Sequence, residues 1–134
     1  MIQKKALDME NAIIINAENL IVGRLGTFVA KKLLAGQKII IINSEKAIMS
    51  GNEKENLTNL FERRLQFKVK GNPDNAPKHP NLPRAIVKRV IRGMLPWKIK
   101  RGLIALRNLR VYNSIPETLK ASKTEKVETA KNNL

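Results

Sequence analysis

Between Pro83 and Met94 the chain carries four cations, Arg84, Lys88, Arg89 and Arg92. At about 100° per residue they occupy one half of a helical wheel, and Ile86, Val87, Val90, Ile91 and Met94 occupy the other. A helix divided this way packs its apolar half against a core and turns the other half towards something anionic. Pro83 suits the first turn of such a helix. Gly93-Met-Leu-Pro96 breaks it. A second helical stretch over about 97–109 is expected to bury Ile99, Leu103 and Leu106, with Lys98, Lys100, Arg101 and Arg107 pointing elsewhere. The chemistry these residues suit is phosphate recognition, because a guanidinium fork matches two phosphate oxygens. Gly93 and Gly102 would let a sugar-phosphate chain approach the backbone closely. Termination of the helix is the other reading of Gly93.

The remaining chemical residues are few. His79 stands between Lys78 and Pro80, with no carboxylate near in sequence to orient it as a general base. A stacking or hydrogen-bonding contact to RNA suits His79 better than catalysis, and a plain loop residue is the other reading. Trp97, the only tryptophan, either stacks on a base or ribose or wedges between helices. Gly23 and Gly26 near a helix start suggest a phosphate turn, but the three-glycine dinucleotide pattern and the P-loop ending are both absent. Arg24 at that start could still hold a phosphate. Ser44, Ser50, Ser114 and Ser122 have no triad context. Glu45, Glu53, Glu55 and Glu62 are spaced as helix-surface charges.

Charge distribution sharpens this reading. The 134 residues include 26 Lys+Arg and 11 Asp+Glu, a formal net charge of +15. Residues 1–62 carry 8 basic and 7 acidic side chains, residues 63–116 carry 14 and 1, and residues 117–134 carry 4 and 3. A solvated surface normally mixes both signs. A stretch with 14 cations and only Asp74 instead points to a polyanion. The five aromatics are too few for a row of stacking platforms, so binding should follow phosphates and shape and not base edges. Cysteine is absent and histidine occurs once, which leaves no disulfide, thiolate site or histidine cluster. No cofactor or metal is expected. No apolar run approaches the ~20 residues of a membrane span, and the start lacks a signal-peptide core. The expectation is a cytoplasmic protein with no membrane and no small-molecule substrate.

Several elements must position these groups. Ala12–Ile15 and Ile39–Ile42 are short β-branched runs suited to buried strands. Between them, Leu25, Phe28, Val29 and Leu33 mark one face of a helix over about 23–34, with Gly36 as its C-terminal glycine. Two strands joined by a helix form a βαβ unit, so they should be parallel. Ser50 and Glu53 have capping-box spacing for a helix running to about Arg63, with Leu57, Leu60 and Phe61 inward. Leu65, Phe67 and Val69 alternate with Gln66, Lys68 and Lys70, a period-two strand with one cationic face. Residues 71–83 contain four prolines and should form an extended basic loop. Arg110–Asn113 is a final short strand. Residues 1–11 read as an N-terminal extension, 12–116 as one α/β domain, and 117–134 as a tail, frayed or disordered.

The residues resemble a known family. Arg89-Val-Ile-Arg-Gly-Met-Leu-Pro-Trp-Lys98, Lys100-Arg-Gly102, Ala105-Leu106 and Leu109-Arg-Val-Tyr112 are similar to the signature of large-subunit ribosomal protein number thirteen. Gly23-Arg-Leu25, Val29–Leu34, Ile42-Asn43, Ser50-Gly51 and Lys78-His79 agree, and the last of these, with Trp97-Lys98, resembles the archaeal and eukaryotic branch. The resemblance covers roughly 12–116. It implies a three-layer α/β/α sandwich around a four-stranded, mainly parallel sheet. It implies a structural, non-enzymatic role in the large ribosomal subunit, supporting assembly and translation. The implied partners are large-subunit rRNA and neighbouring ribosomal proteins, with the protein a monomer within the ribosome. One departure is Asn113-Ser114, where the family usually has a glycine soon after the strand. The expected RNA-binding residues are Arg24, Lys68, Lys70, Lys78, His79, Arg84, Lys88, Arg89, Arg92, Gly93, Trp97, Lys98, Lys100, Arg101 and Arg107. An architectural DNA-binding protein is the alternative, sharing the electrostatics but usually using a dimeric helical module or β-ribbon arms. A nucleic-acid-processing enzyme would need a carboxylate cluster for metal, and the cationic stretch has only Asp74.

Overall fold

The computed structural model describes residues 12–56, 58, 69–119, 124–125, 127 and 130–131. Strand β1 (Ala12–Asn16) leads through helix α1 (Val22–Leu34) to strand β2 (Lys38–Ile42). A short helix α2 (Glu53–Asn56) follows. After the proline-rich loop come α3 (Pro83–Met94), α4 (Lys100–Arg107), strand β3 (Leu109–Val111) and strand β4 (Thr124–Glu125). The four strands form one sheet in the order β3-β2-β1-β4, and each pairing between these strands is parallel. The α/β class and the four-stranded sheet therefore agree with expectation.

Strand alternation explains the core. Ile15, Ile39, Ile41 and Leu109 are fully buried on one face, beneath Leu25, Val29 and Leu33 of α1 and Val87 and Ile91 of α3. Ile14, Ile40 and Ile42 face the other way and pack with Leu119 and Tyr112. Because β2 is buried on both faces, it reads as a continuous isoleucine run, as inner parallel strands do. Asn43 Nδ2 donates to Asn16 Oδ1 at 3.0 Å, tying the carboxyl ends of β1 and β2 together. Gly36 has φ +88, the left-handed conformation expected just past a helix end.

Four details differ from the sequence reading. The α2 cap is Asn52, whose Oδ1 accepts from Lys54 N at 3.3 Å. Ser50 offers only its carbonyl, to Asn56 Nδ2 at 3.3 Å. An asparagine side chain reaches a backbone N–H two residues on without help from the hydroxyl upstream. Second, the segment after Pro116 is not simply frayed in its described part: Thr124–Glu125 pairs with β1, and Leu119, Val127 and Ala130 are buried. Lys32 Nζ holds Glu125 at 2.6 Å, and Ile21 N donates to Ala130 O at 2.9 Å. Two charged or polar residues suffice at a sheet edge, where short polar strands are the rule.

Third, α4 buries Gly102 and Ala105, whereas Ile99 and Leu103 are exposed and Leu106 is half-buried. The helix is rotated because Gly102 lies against the Pro96 carbonyl: a Cβ there would sit 2.1 Å from the oxygen. Gly102 thus serves an internal contact and not an approach to RNA. Fourth, Val69 and Lys70 are exposed and outside any strand. The rest of the strand expected at 65–70, with Lys68, lies outside the described residues. So do Leu57, Leu60, Phe61 and residues 1–11.

Candidate nucleic-acid interface

Helix α3 divides as its wheel requires. Val87 and Ile91 are buried, and Arg84, Lys88 and Arg92 are exposed. Nothing on the proline-rich loop is fully buried, so it needs an anchor, and Arg89 supplies one. Its Nη1 donates to Lys78 O at 3.2 Å, holding the loop beside α3. The guanidinium has four further N–H groups for other acceptors.

Loop and helix together enclose an open groove of about 450 Å³, lined by Lys78, His79, Pro80, Ala85, Lys88, Arg89, Arg92 and Leu106. Five of the expected binding residues thus converge, and the lining has no carboxylate. His79 is half-buried in this wall. A second groove of about 340 Å³ lies along the outer edge of the sheet, lined by Arg84, Ala85, Lys88, Arg110 and Tyr112 among others. Lys88 belongs to both grooves, so the cations form one continuous band. Arg110 and Tyr112 are additions to the expected set. The sequence places Arg110 in a strand, and the signal for its role is its position between Leu109 and Val111, which sets it on the opposite side from two apolar neighbours.

The departure at Asn113 has a local cause. Its Oδ1 accepts from Arg84 N at 3.0 Å, supplying the α3 N-terminus with the acceptor that Leu82 cannot offer. A glycine at 113 would leave that N–H unpaired. The contact also fixes the start of α3 against the end of β3, and so sets the spacing of the second groove.

Trp97 does not wedge between helices. It is 40% exposed, with the Arg92 guanidinium 5.2 Å and Lys98 Nζ 5.8 Å from its ring centre. Gly93 lies within α3, with an ordinary helical φ and open space where a Cβ would point. Neither a left-handed cap nor internal packing demands glycine there. Arg24, Lys70, Lys98, Lys100, Arg101 and Arg107 are exposed but line neither groove.

The electrostatics of this flank are unbalanced. Among the described residues, none of Arg84, Lys88, Arg89, Arg92, Lys98, Lys100, Arg101 and Arg107 pairs with a carboxylate. Elsewhere Lys46 Nζ meets Glu18 Oε1 at 2.9 Å. That hydrogen bond is the main cause lowering the Glu18 pKa below the usual carboxylate range and raising that of Lys46 above the usual lysine range. Glu45, Glu53 and Glu55 are exposed, and Glu62 lies outside the described residues. Among the described residues no group of three His, Asp or Glu is placed to hold a metal ion, and no helix is long and apolar enough to cross a membrane.

Comparison with known proteins gives this arrangement a context. The family model described as Ribosomal protein L13 matches residues 10–118. A large ribosomal subunit protein uL13 of Methanopyrus kandleri is 41% identical over 121 residues, which is 90% of this chain and 74% of the relative. The protein of the same name from Archaeoglobus fulgidus is 41% identical over 117 residues, 87% of this chain and 72% of the relative. That of Methanococcus maripaludis is 41% identical over 109 residues, 78% and 77% respectively. With a cationic groove on a parallel α/β scaffold and a family match spanning both, the chain belongs to the ribosomal protein L13 family.

Proposed function

We propose that this protein is a structural constituent of the large ribosomal subunit, and that it binds large-subunit rRNA through the band of cations on α3, the proline-rich loop and β3. The family is a structural, non-enzymatic one. The observation that carries the reading is the groove between loop and helix: Lys78, His79, Lys88, Arg89 and Arg92 line one cavity with no acid among them. Self-repulsion of that kind costs stability in the isolated chain and is relieved when phosphates enter. Gly93 and Trp97 flank Arg92. The glycine gives a sugar-phosphate chain room at the helix end, and the indole gives a base or ribose a stacking face. The site of action is the ribosome in the cytoplasm, where neighbouring large-subunit proteins are the further partners and one copy suffices.

The groove cations are Lys78, Lys88, Arg89 and Arg92, and the sheet-edge groove adds Arg84 and Arg110. If each meets one phosphate, log K for rRNA should fall against log salt with a slope of about 4 to 5. The variant carrying Lys88→Glu and Arg92→Glu should lose about 2 from that slope and should no longer sediment with large subunits. Its circular dichroism should be unchanged, because both side chains are exposed. Undiminished rRNA binding by this variant would overturn the assignment.

A further inference from the structure

The exposed large apolar side chains are unevenly distributed. Val69, Leu82 and Ile115 stand apart, whereas Met94, Trp97, Ile99, Leu103 and Ile104 fall between residues 94 and 104. Three of the five belong to the start and outer face of α4, where Ile99 is 63% and Ile104 58% exposed. Leu103 N donates to Ile99 O at 3.1 Å, so Leu103 stands one turn above Ile99, and Arg107 one turn above that. Lys100 and Ile104 form the adjacent row. Together the five side chains cover an arc of about 140°.

This face is the reverse of an ordinary surface helix, which turns its large apolar residues inward. The inversion is built in. The helix meets the protein through Gly102 and Ala105, and Gly102 packs so closely on Pro96 that no other side chain fits beneath it. Rotation to hide Ile99 and Leu103 is therefore blocked. The cations beside them, Lys98, Lys100, Arg101 and Arg107, line neither basic groove and have no carboxylate partner among the described residues.

We infer that the outer face of α4 is a docking surface for an acidic, aliphatic segment of a partner protein, with Ile99, Leu103 and Ile104 at its centre and Lys100 and Arg107 at its rim. An apolar centre with a charged rim is the usual anatomy of a protein interface. Carboxylates of the segment complement the rim, and its aliphatic side chains cover the centre. Phosphates alone would satisfy the rim and leave the aliphatic centre in water. The inference rests on the reading above only in placing the partner within the large subunit.

The test is photo-cross-linking in purified large subunits assembled with the full chain, using Ile104→benzoylphenylalanine, with Lys88→benzoylphenylalanine as the companion. The probe at 104 should capture a protein segment containing aliphatic residues together with Asp or Glu. Capture of rRNA, of a segment without carboxylates, or of nothing would overturn the inference. The probe at 88 should capture rRNA, and its failure would instead count against the rRNA reading. Adding Leu103→Asp to the probe at 104 should reduce the protein cross-link about tenfold or more and leave thermal melting unchanged. A reduction matched by loss of folded protein would overturn it too.

Discussion

The two flanks of this protein treat charge in opposite ways. Around β1, α1 and β4, two cations have acids of their own: Lys46 holds Glu18 and Lys32 holds Glu125. Lys32 also lies 4.7 Å from the Phe28 ring centre. Around α3 and α4, eight cations have no carboxylate partner among the described residues. The first flank closes part of its electrostatics internally, and the second leaves them to be closed by a partner. Burial does not separate the two: α1 and α3 both pack their apolar faces on the sheet, and the difference lies in what their charged faces meet.

A matched pair of charge reversals is the most direct way to break that comparison. Lys88→Glu together with Arg92→Glu should weaken rRNA binding by about 100-fold or more near 0.1 M salt. Lys46→Glu should change it by no more than about threefold, because that lysine already serves Glu18 and sits outside the band. Filter binding across a salt series measures both. A loss per reversed charge as large at Lys46 as at Lys88 and Arg92 would mean that net charge, and not the groove, governs binding.

Two glycines of the cationic flank sharpen the contrast between groups that serve the fold and groups that serve a partner. Gly102→Ala drives a Cβ to 2.1 Å from the Pro96 carbonyl oxygen, a backbone atom that cannot swing aside. It should cost about 3 kcal/mol, at the upper end for overpacking. Gly93→Ala meets nothing within 4 Å and should stabilise the free protein by about 0.5–1 kcal/mol through helix propensity. The same substitution should weaken rRNA binding, since it fills the room that the proposed interface uses. Denaturant melts of the free proteins and rRNA titrations report the two effects separately.

How much of this was legible depended on periodicity. The isoleucine runs of β1 and β2, the face of α1 and the divided wheel of α3 are repeated patterns, and each element formed within a residue or two of its expected place. The groove residues followed, because Lys88, Arg89 and Arg92 needed only a correct wheel. What stayed hidden had no period. The orientation of α4 is set by one tertiary contact, Gly102 on Pro96, which overrides the pattern that suggested Ile99 and Leu103 were inward. The β4 strand is two residues long. Arg89's hold on Lys78 O and Arg110's place beside Arg84 depend on elements distant in sequence.

Asn113 offers a medium-sized test of how the cationic flank is positioned. Its side chain caps α3 from beyond β3, at 3.0 Å from Arg84 N. Asn113→Ala should destabilise the protein by about 1 kcal/mol, as loss of a helix cap does. It should also weaken rRNA binding modestly by loosening the sheet-edge groove. Asn113→Asp keeps the acceptor and should retain stability, but it adds a negative charge beside Arg84 and should weaken binding. A stable Asn113→Ala variant would show that the cap contributes nothing and that α3 is held by Val87 and Ile91 alone.

The smallest effect belongs to the paired flank and concerns pH. The folded-state pKa of Glu18 is lowered, chiefly by its hydrogen bond from Lys46. Its contribution to stability is therefore present above the ordinary carboxylate pKa and fades as pH falls through the lowered folded value. The pKa of Lys46 is raised by the same contact, so its contribution is present below the ordinary lysine pKa and is lost as pH rises through the raised folded value. Both groups are exposed to solvent, and screening keeps the effect slight. Glu18→Gln should therefore melt almost as the unaltered protein does at neutral pH, and the small difference should vanish in acid, where Glu18 is protonated anyway. Thermal melts at several pH values measure this. A difference that persisted at the acid end would show that the glutamine substitution disturbs packing, most directly through the neighbouring Asn16, and that the charge pairing on this flank is incidental to its stability.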